Sequence, residues 1–313
     1  AETVAELSIE IAEQLTLVTD ELSIRIDVAT RGPLARSVSS FAYDIVATHR
    51  GAGFPVRLIS GGEQDSDIKS LLDGEIEDGT GGYWPDSLGP DVRSLREFRT
   101  QLRDLLSRAR DAGLVDSLPS DEPLLRDLAQ RGREHGVPEW VAAARFLDSY
   151  LRVAVRARTG QVDPAAIIDD ATEIIAAGGH DGLTASTLIV DDAQDLTVSQ
   201  WRFLAAWNEH RGPVIAFGDP DLATSGFRGA TPTLFSGAES VDGSIWQPSV
   251  VLRGNHRQSG VMPHVLGVVA RAIPGAGSVT RSVYPEYADP SSVRDLPGLA
   301  LFSATAASPA GEY

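Results

Sequence analysis

Between residues 94 and 177 apolar side chains recur every three or four positions, the spacing that puts one stripe of a helix into a core. This pattern predicts helices over Ser94 to Ala112, Pro123 to Arg131, Pro138 to Arg156 and Pro164 to Ala177, with Gly113, Gly160 and Gly178 past three of the ends. Upstream, Val4 to Leu15 reads as an amphipathic opening and Ile24 to Val28 as a short β run. A helix is expected to start near Ser39 and Ser40, carry Phe41, Ile45 and Val46 on its apolar face, and end before Gly51. The stretch from Glu63 to Asp91 is acidic and Gly-rich, which predicts a solvated surface or mobile loop without a catalytic role.

After residue 178 the period changes. Thr187 to Val190 and Val214 to Phe217 are short apolar β runs separated by a helical pattern from Ser199 to Trp207. Short apolar strands alternating with helices predict an α/β fold with a buried parallel sheet, in which ligands sit beyond the carboxyl ends of the strands. Function is therefore expected at residues 191–195 and 218–230. A further helix is expected from Gly260 to Ile273, and Leu299 to Phe302 is one more apolar run. No internal repeat is present.

With 313 residues and 42% hydrophobic content the chain is long enough for about two domains. No apolar run approaches the roughly 18 residues of a membrane span, and the first residues lack a signal-peptide pattern, so a cytoplasmic protein without a membrane partner is expected. The absence of cysteine excludes disulfides, thiol catalysis and Cys-ligated zinc, and the six His residues form no ligand-spaced pair. A net charge of −17 argues against coating nucleic acid through a general basic surface, because that affinity comes from phosphate neutralisation. Any such contact must be local.

Three blocks carry candidate chemistry. Asp191-Asp192-Ala193-Gln194-Asp195 follows a predicted strand directly; a carboxylate there can hold Mg²⁺ and a second acid can orient an attacking water. Acidic loops after strands are also common structural features. Gly218-Asp219-Pro220-Asp221 through Gly226-Phe227-Arg228-Gly229-Ala230 has the composition of ordinary turns, but it sets an aromatic ring beside an arginine, a pair able to stack a base and take a phosphate. Leu252-Arg253-Gly254-Asn255-His256-Arg257 offers an arginine able to clamp a γ-phosphate or simply to face solvent.

In this order and spacing the blocks resemble motifs II, III and IV of UvrD/Rep-like superfamily 1 DNA helicases, whose forms are VDEAQD, GDxxQxIYxxRGA and LxxNYRS. The matching stretches are Val190 to Asp195, Gly218 to Ala230 and Leu252 to Ser259. Arg36 to Ala42 is similar to the family's T-x-H-S-F-A segment. The resemblance implies part of a RecA-like (P-loop NTPase) lobe over residues 1–50 and 179–248. It also implies a large 1B-like helical insertion over 51–178 and the start of a second lobe over 249–313. By position, Asp191 would hold Mg²⁺, Asp192 would stand where the catalytic Glu is usual, and Gln194 would couple nucleotide to DNA. Ser39, Phe41, Phe227 and Arg228 would face DNA, Arg257 would reach the γ-phosphate of ATP, and His256, in place of Tyr, would stack on adenine.

The implied partners are single-stranded or partly duplex DNA, the remaining motor domains, and a nuclease domain or second helicase subunit. Motif II is similar to that of actinobacterial RecB-like helicase-nucleases. The chain departs from the family pattern at several points. No Gly-x-x-x-x-Gly-Lys-Ser/Thr phosphate loop occurs, and Lys69, its only lysine, has no Gly at the required position. The resemblance thus reads as an internal fragment without motif I and without motifs V and VI, inactive as an ATPase alone. In motif III, Leu222 replaces Gln and Ser225 replaces Tyr. A degenerate, non-hydrolysing scaffold that binds DNA or a partner is therefore the second reading, and an unrelated acidic interaction protein is the third.

Overall fold

A computed structural model of the chain describes residues 35–51, 56–115, 123–157, 161–164, 166–179 and 185–236, with isolated positions at 9–11, 13 and 183. The expected strand at 24–28, the helix at 260–273, the run at 299–302 and the whole of 249–313 lie outside the described residues, as does most of the opening at 4–15.

Helix α1 is Val38–Arg50. The Ser37 hydroxyl accepts from the Ser40 N–H at 3.2 Å and starts it, and Gly51 at φ 78° ends it. Strand β1 (Arg57–Leu58) pairs in parallel with β2 (Gln161–Val162), so the chain leaves for a helical excursion and returns beside its own departure point. The excursion holds α2 (Gly61–Glu77), α3 (Pro90–Arg93), α4 (Arg96–Asp111), α5 (Arg126–Glu134) and α6 (Pro138–Ala157). Ile68, Leu72, Trp84, Phe98, Leu102, Leu106, Phe146 and Leu147 form the centre of its core.

The acidic stretch expected to be a loop is instead mostly helix α2. Ser60 and Glu63 close a capping box, with the Ser60 N–H donating to Glu63 at 2.8 Å and Glu63 N–H donating to Ser60 at 3.3 Å. Ile68 and Leu72, one turn apart, then bury fully against the helical core. Glu75, one of the acids that made the stretch look solvated, accepts from the Tyr83 hydroxyl and from Trp84 Nε1 and faces Arg93. The strands β1 and β2 were not expected either. Each is two residues long, too short to show a period, and is made by a partner about a hundred residues away.

A second core surrounds the other parallel sheet. Strands β3 (Leu188–Val190) and β4 (Val214–Ala216) pair with Leu188 opposite Val214, Ile189 opposite Ile215 and Val190 opposite Ala216. Helix α8 (Val198–His210) makes the crossover between them and buries Trp201, Phe203, Leu204 and Trp207. Helix α7 (Ile167–Ala176) lies between α1 and α8 and belongs to this core, through Ile167, Ala171 and Ile175. A short α9 (Pro232–Phe235) closes it with Leu234. The described chain is thus mostly helical with small parallel sheets, an arrangement compatible with the α/β class. Among the described residues no helix is long and apolar enough to cross a membrane.

Candidate functional site

The β3–β4 sheet continues past its last regular residue: the Phe217 N–H donates to Val190 O at 2.8 Å and the Ala193 N–H donates back to Phe217 O at 2.9 Å. The chain must then turn sharply at the strand's carboxyl end. Asp192 takes the turn at φ 52°, ψ 41°, the one non-Gly left-handed residue among those described. Asp tolerates this conformation better than a β-branched residue would, and such outliers concentrate at functional turns. Asp191 and Asp192 are both exposed there, and Asp191 accepts the Asp192 N–H at 3.0 Å.

Gln194 runs the opposite way, into the protein, and is 3% exposed. Its Nε2 donates to Asp192 Oδ1 at 3.2 Å, and its Oε1 accepts the Asp219 N–H at 3.1 Å. One buried amide therefore ties the turn after β3 to the turn after β4. The approach is so close that a Cβ at Gly218 would stand 2.4 Å from Gln194 Oε1 and 3.1 Å from the Ala193 nitrogen. Asp195 adds a second tie, accepting the Thr224 and Ser225 N–H groups on one oxygen at 3.0 Å each. Beyond these, Thr197 bridges Ala230 and Thr231 N–H donates to Leu196 O at 3.0 Å.

The loop held this way contains two 3-10 turns, Pro220–Leu222 and Gly226–Arg228, and the second carries the aromatic and the arginine. Phe227 is 66% exposed, and the Arg228 guanidinium lies 5.1 Å from the centre of its ring. A cation stacked on an exposed aromatic face offers both a surface for a base and a charge for a phosphate. Arg108, from the end of α4, donates to the Phe227 carbonyl. Leu222 is also 66% exposed and carries no hydrogen-bonding group, whereas Ser225 is half-buried with its N–H on Asp195.

Of the residues singled out in the sequence, Asp191, Asp192 and Gln194 share one turn, and Phe227 and Arg228 lie on the loop bonded to it. Ser39 is exposed on α1. Phe41, on the same helix, is half-buried, its ring 5.3 Å from that of Trp207 and 6.1 Å from that of Phe203, with the Arg36 guanidinium 5.3 Å away. His256 and Arg257 lie outside the described residues. Asp195 and Gly218 fell within the two candidate blocks without an assigned role, and Arg108 lay outside them. A glycine directly after a strand could have pointed to the close approach at 218, but the Arg108 link spans 119 residues and leaves no trace in the local sequence.

Behind this site, at the joint between α4 and α7, carboxylates gather around Arg110. Its Nη1 donates to Asp169 at 3.0 Å and its Nε lies 4.0 Å from Asp163. Burial pushes Asp170 up to about 6, opposed by Arg110 and assisted by Glu173 and Asp169. Burial also raises Asp169 and, with the charge of Asp169 beside it, Asp111.

A parallel β-α-β unit with an acidic turn at the strand's carboxyl end is the arrangement of ligand-binding α/β proteins. The comparison with family models is narrower: residues 113–241 match the model of the UvrD/REP helicase N-terminal domain, so this stretch of the chain is similar to UvrD/Rep-like helicases. The match takes in both bonded turns and the end of the helical excursion, and stops before residue 252. A comparison with curated proteins found no match.

Proposed function

We propose that the chain contributes part of the motor of an ATP-dependent DNA helicase or translocase acting in repair or recombination. The observation that carries this reading is Gln194, which bonds the acidic turn to the loop bearing Phe227 and Arg228. A change at one turn is thereby mechanically connected to the other, which is what coupling of nucleotide to DNA requires.

Asp191 fits a Mg²⁺ site of the kind that uses one or two carboxylates and leaves the remaining positions to water and phosphate oxygens. Asp191 is exposed at the end of β3, as is Asp192 next to it in the chain. When bound, the metal would neutralise charge on the phosphates of ATP. Asp192 would orient a water, and its left-handed backbone and its bond from Gln194 restrict where its carboxylate points. The triphosphate itself finds no Gly-x-x-x-x-Gly-Lys-Ser/Thr loop in this sequence, so no hydrolytic step is assigned to the chain alone.

In this reading residues 1–50 and 179–248 build one RecA-like lobe, 51–178 hold a helical insertion whose last helix, α7, packs back into that lobe's core, and 249–313 begin a second lobe with His256 and Arg257 on the nucleotide. Single-stranded DNA lies on Phe227 and Arg228, with Ser39 and Phe41 at the edge. The remaining motor domains and a nuclease domain or second helicase subunit are the protein partners, in the cytoplasm. The exposed Leu222, unable to bond a γ-phosphate, favours the second reading of a non-hydrolysing scaffold. DNA-stimulated ATP hydrolysis by a motor containing this chain and a phosphate loop tests both. Asp191→Ala is expected to lower turnover by about a hundredfold or more. Turnover that survives Asp191→Ala would sink the metal assignment, and DNA binding without any turnover would establish the scaffold. The 313-residue chain alone is expected to hydrolyse no ATP.

A further inference from the structure

We propose that Arg108 is a positioning residue that sets the Phe227–Arg228 turn for single-stranded DNA and connects it to the helical excursion. Helix α4 buries Leu102, Leu106 and Ala109 in the helical core, while its last turn projects to the other unit. There it is tied repeatedly. Arg110 holds Asp169 on α7, and Arg202 on α8 donates to the Gly113 carbonyl at 2.9 Å. Asp111 packs where Gly229, at φ 90°, has no side chain: a Cβ on that glycine would lie 3.3 Å from the Asp111 Cβ.

Against this anchored base, the Arg108 guanidinium donates to the Phe227 carbonyl. The loop is already held upstream by Asp195, through Thr224 and Ser225, and downstream by the Thr197–Ala230 bridge. Arg108 grips the stretch between those points, at the backbone of the residue whose ring is offered to solvent. Its bond fixes the peptide plane from which the Phe227 ring and the Arg228 stack project. Movement of the helical unit relative to the sheet would then reorient the stacking surface directly. Arg108 itself is exposed, so removing its head group costs little of the core.

This inference rests on the reading of Phe227 and Arg228 as a DNA face, and the test separates the two. Binding of a fluorescein-labelled oligothymidylate to the full chain is followed by anisotropy over a range of salt concentrations, with folding checked by circular dichroism. Phe227→Ala is expected to weaken binding about tenfold through lost base stacking. Arg108→Met, which keeps the aliphatic stem and removes every donor, is expected to weaken it about fivefold. Arg108→Lys, which keeps an N–H donor, should recover most of that loss. Two readouts distinguish positioning from direct contact. The slope of log affinity against log salt should be unchanged in Arg108→Met, whereas loss of a phosphate contact would reduce it by about one. In the Phe227→Ala background Arg108→Met should cost almost nothing further. Wild-type affinity in Arg108→Met, a reduced salt slope, or additive losses overturns the positioning role while leaving the DNA face intact. Unchanged affinity in Phe227→Ala removes the DNA face, and this role with it.

Discussion

Replacing Gly218 by Ala puts two physical effects in direct opposition. The backbone of Gly218 is not in the left-handed region, so alanine can adopt it. Reduced freedom of the unfolded chain alone would then stabilise the protein by about 0.4–1 kcal/mol. The added methyl, however, would stand 2.4 Å from Gln194 Oε1, 3.1 Å from the Ala193 nitrogen and 3.2 Å from the Gln194 nitrogen. The two nitrogens belong to the bonded turn and cannot retreat. The Gln194 side chain, 3% exposed and bonded at both ends, has no open space to swing into. It must surrender the Asp219 N–H bond, a net loss of about 1 kcal/mol, and leave a buried oxygen unsatisfied at about 1–3 kcal/mol more. After the opposing entropy, Gly218→Ala is expected to destabilise by about 2 kcal/mol. Urea unfolding followed by tryptophan emission, to which Trp201 and Trp207 in the core beneath this turn contribute, measures it. In a Gln194→Ala background the same substitution should cost under about 1 kcal/mol, since its main obstacle is gone. A Gly218→Ala protein as stable as wild type, or one whose loss is undiminished without Gln194, would refute the tie between the two turns.

With its folded value raised from 3.8 to about 6, Asp170 prefers to be protonated in the native state. Its contribution is therefore most favourable below pH 4, declines as the pH rises from 4 to 6, and stays unfavourable above that. Asp170→Asn should accordingly stabilise the protein at pH 8 by on the order of 2 kcal/mol and change little at pH 4, as read from urea midpoints at the two pH values. Phe41→Ala, which removes ring contacts to Phe203 and Trp207, should cost about 2 kcal/mol of stability. An unchanged oligothymidylate affinity would remove Phe41 from the DNA edge, and an unchanged stability would remove it from the core.

The sequence by itself determined the features whose cause is local. The period change after residue 178 located the β-α-β unit, because a buried parallel strand and an amphipathic helix write different spacings of apolar residues. Acids immediately after such a strand located the turn at 191–195. Tertiary structure decided what depends on partners far along the chain. Helix α2 looked like a solvated loop because its apolar content is sparse, and its few apolar side chains, Ile68 and Leu72, succeed only because the helical core receives them. The pairing of β1 with β2 joins residues 57–58 to 161–162, and no local pattern records it. Likewise, Gln194 could be named from its motif, but its direction into the protein, its hold on Asp219 and the need for a glycine at 218 come from packing two turns against each other. The link from Arg108 to Phe227 is of the same kind: composition supplied an arginine, and only the fold brought it to that carbonyl.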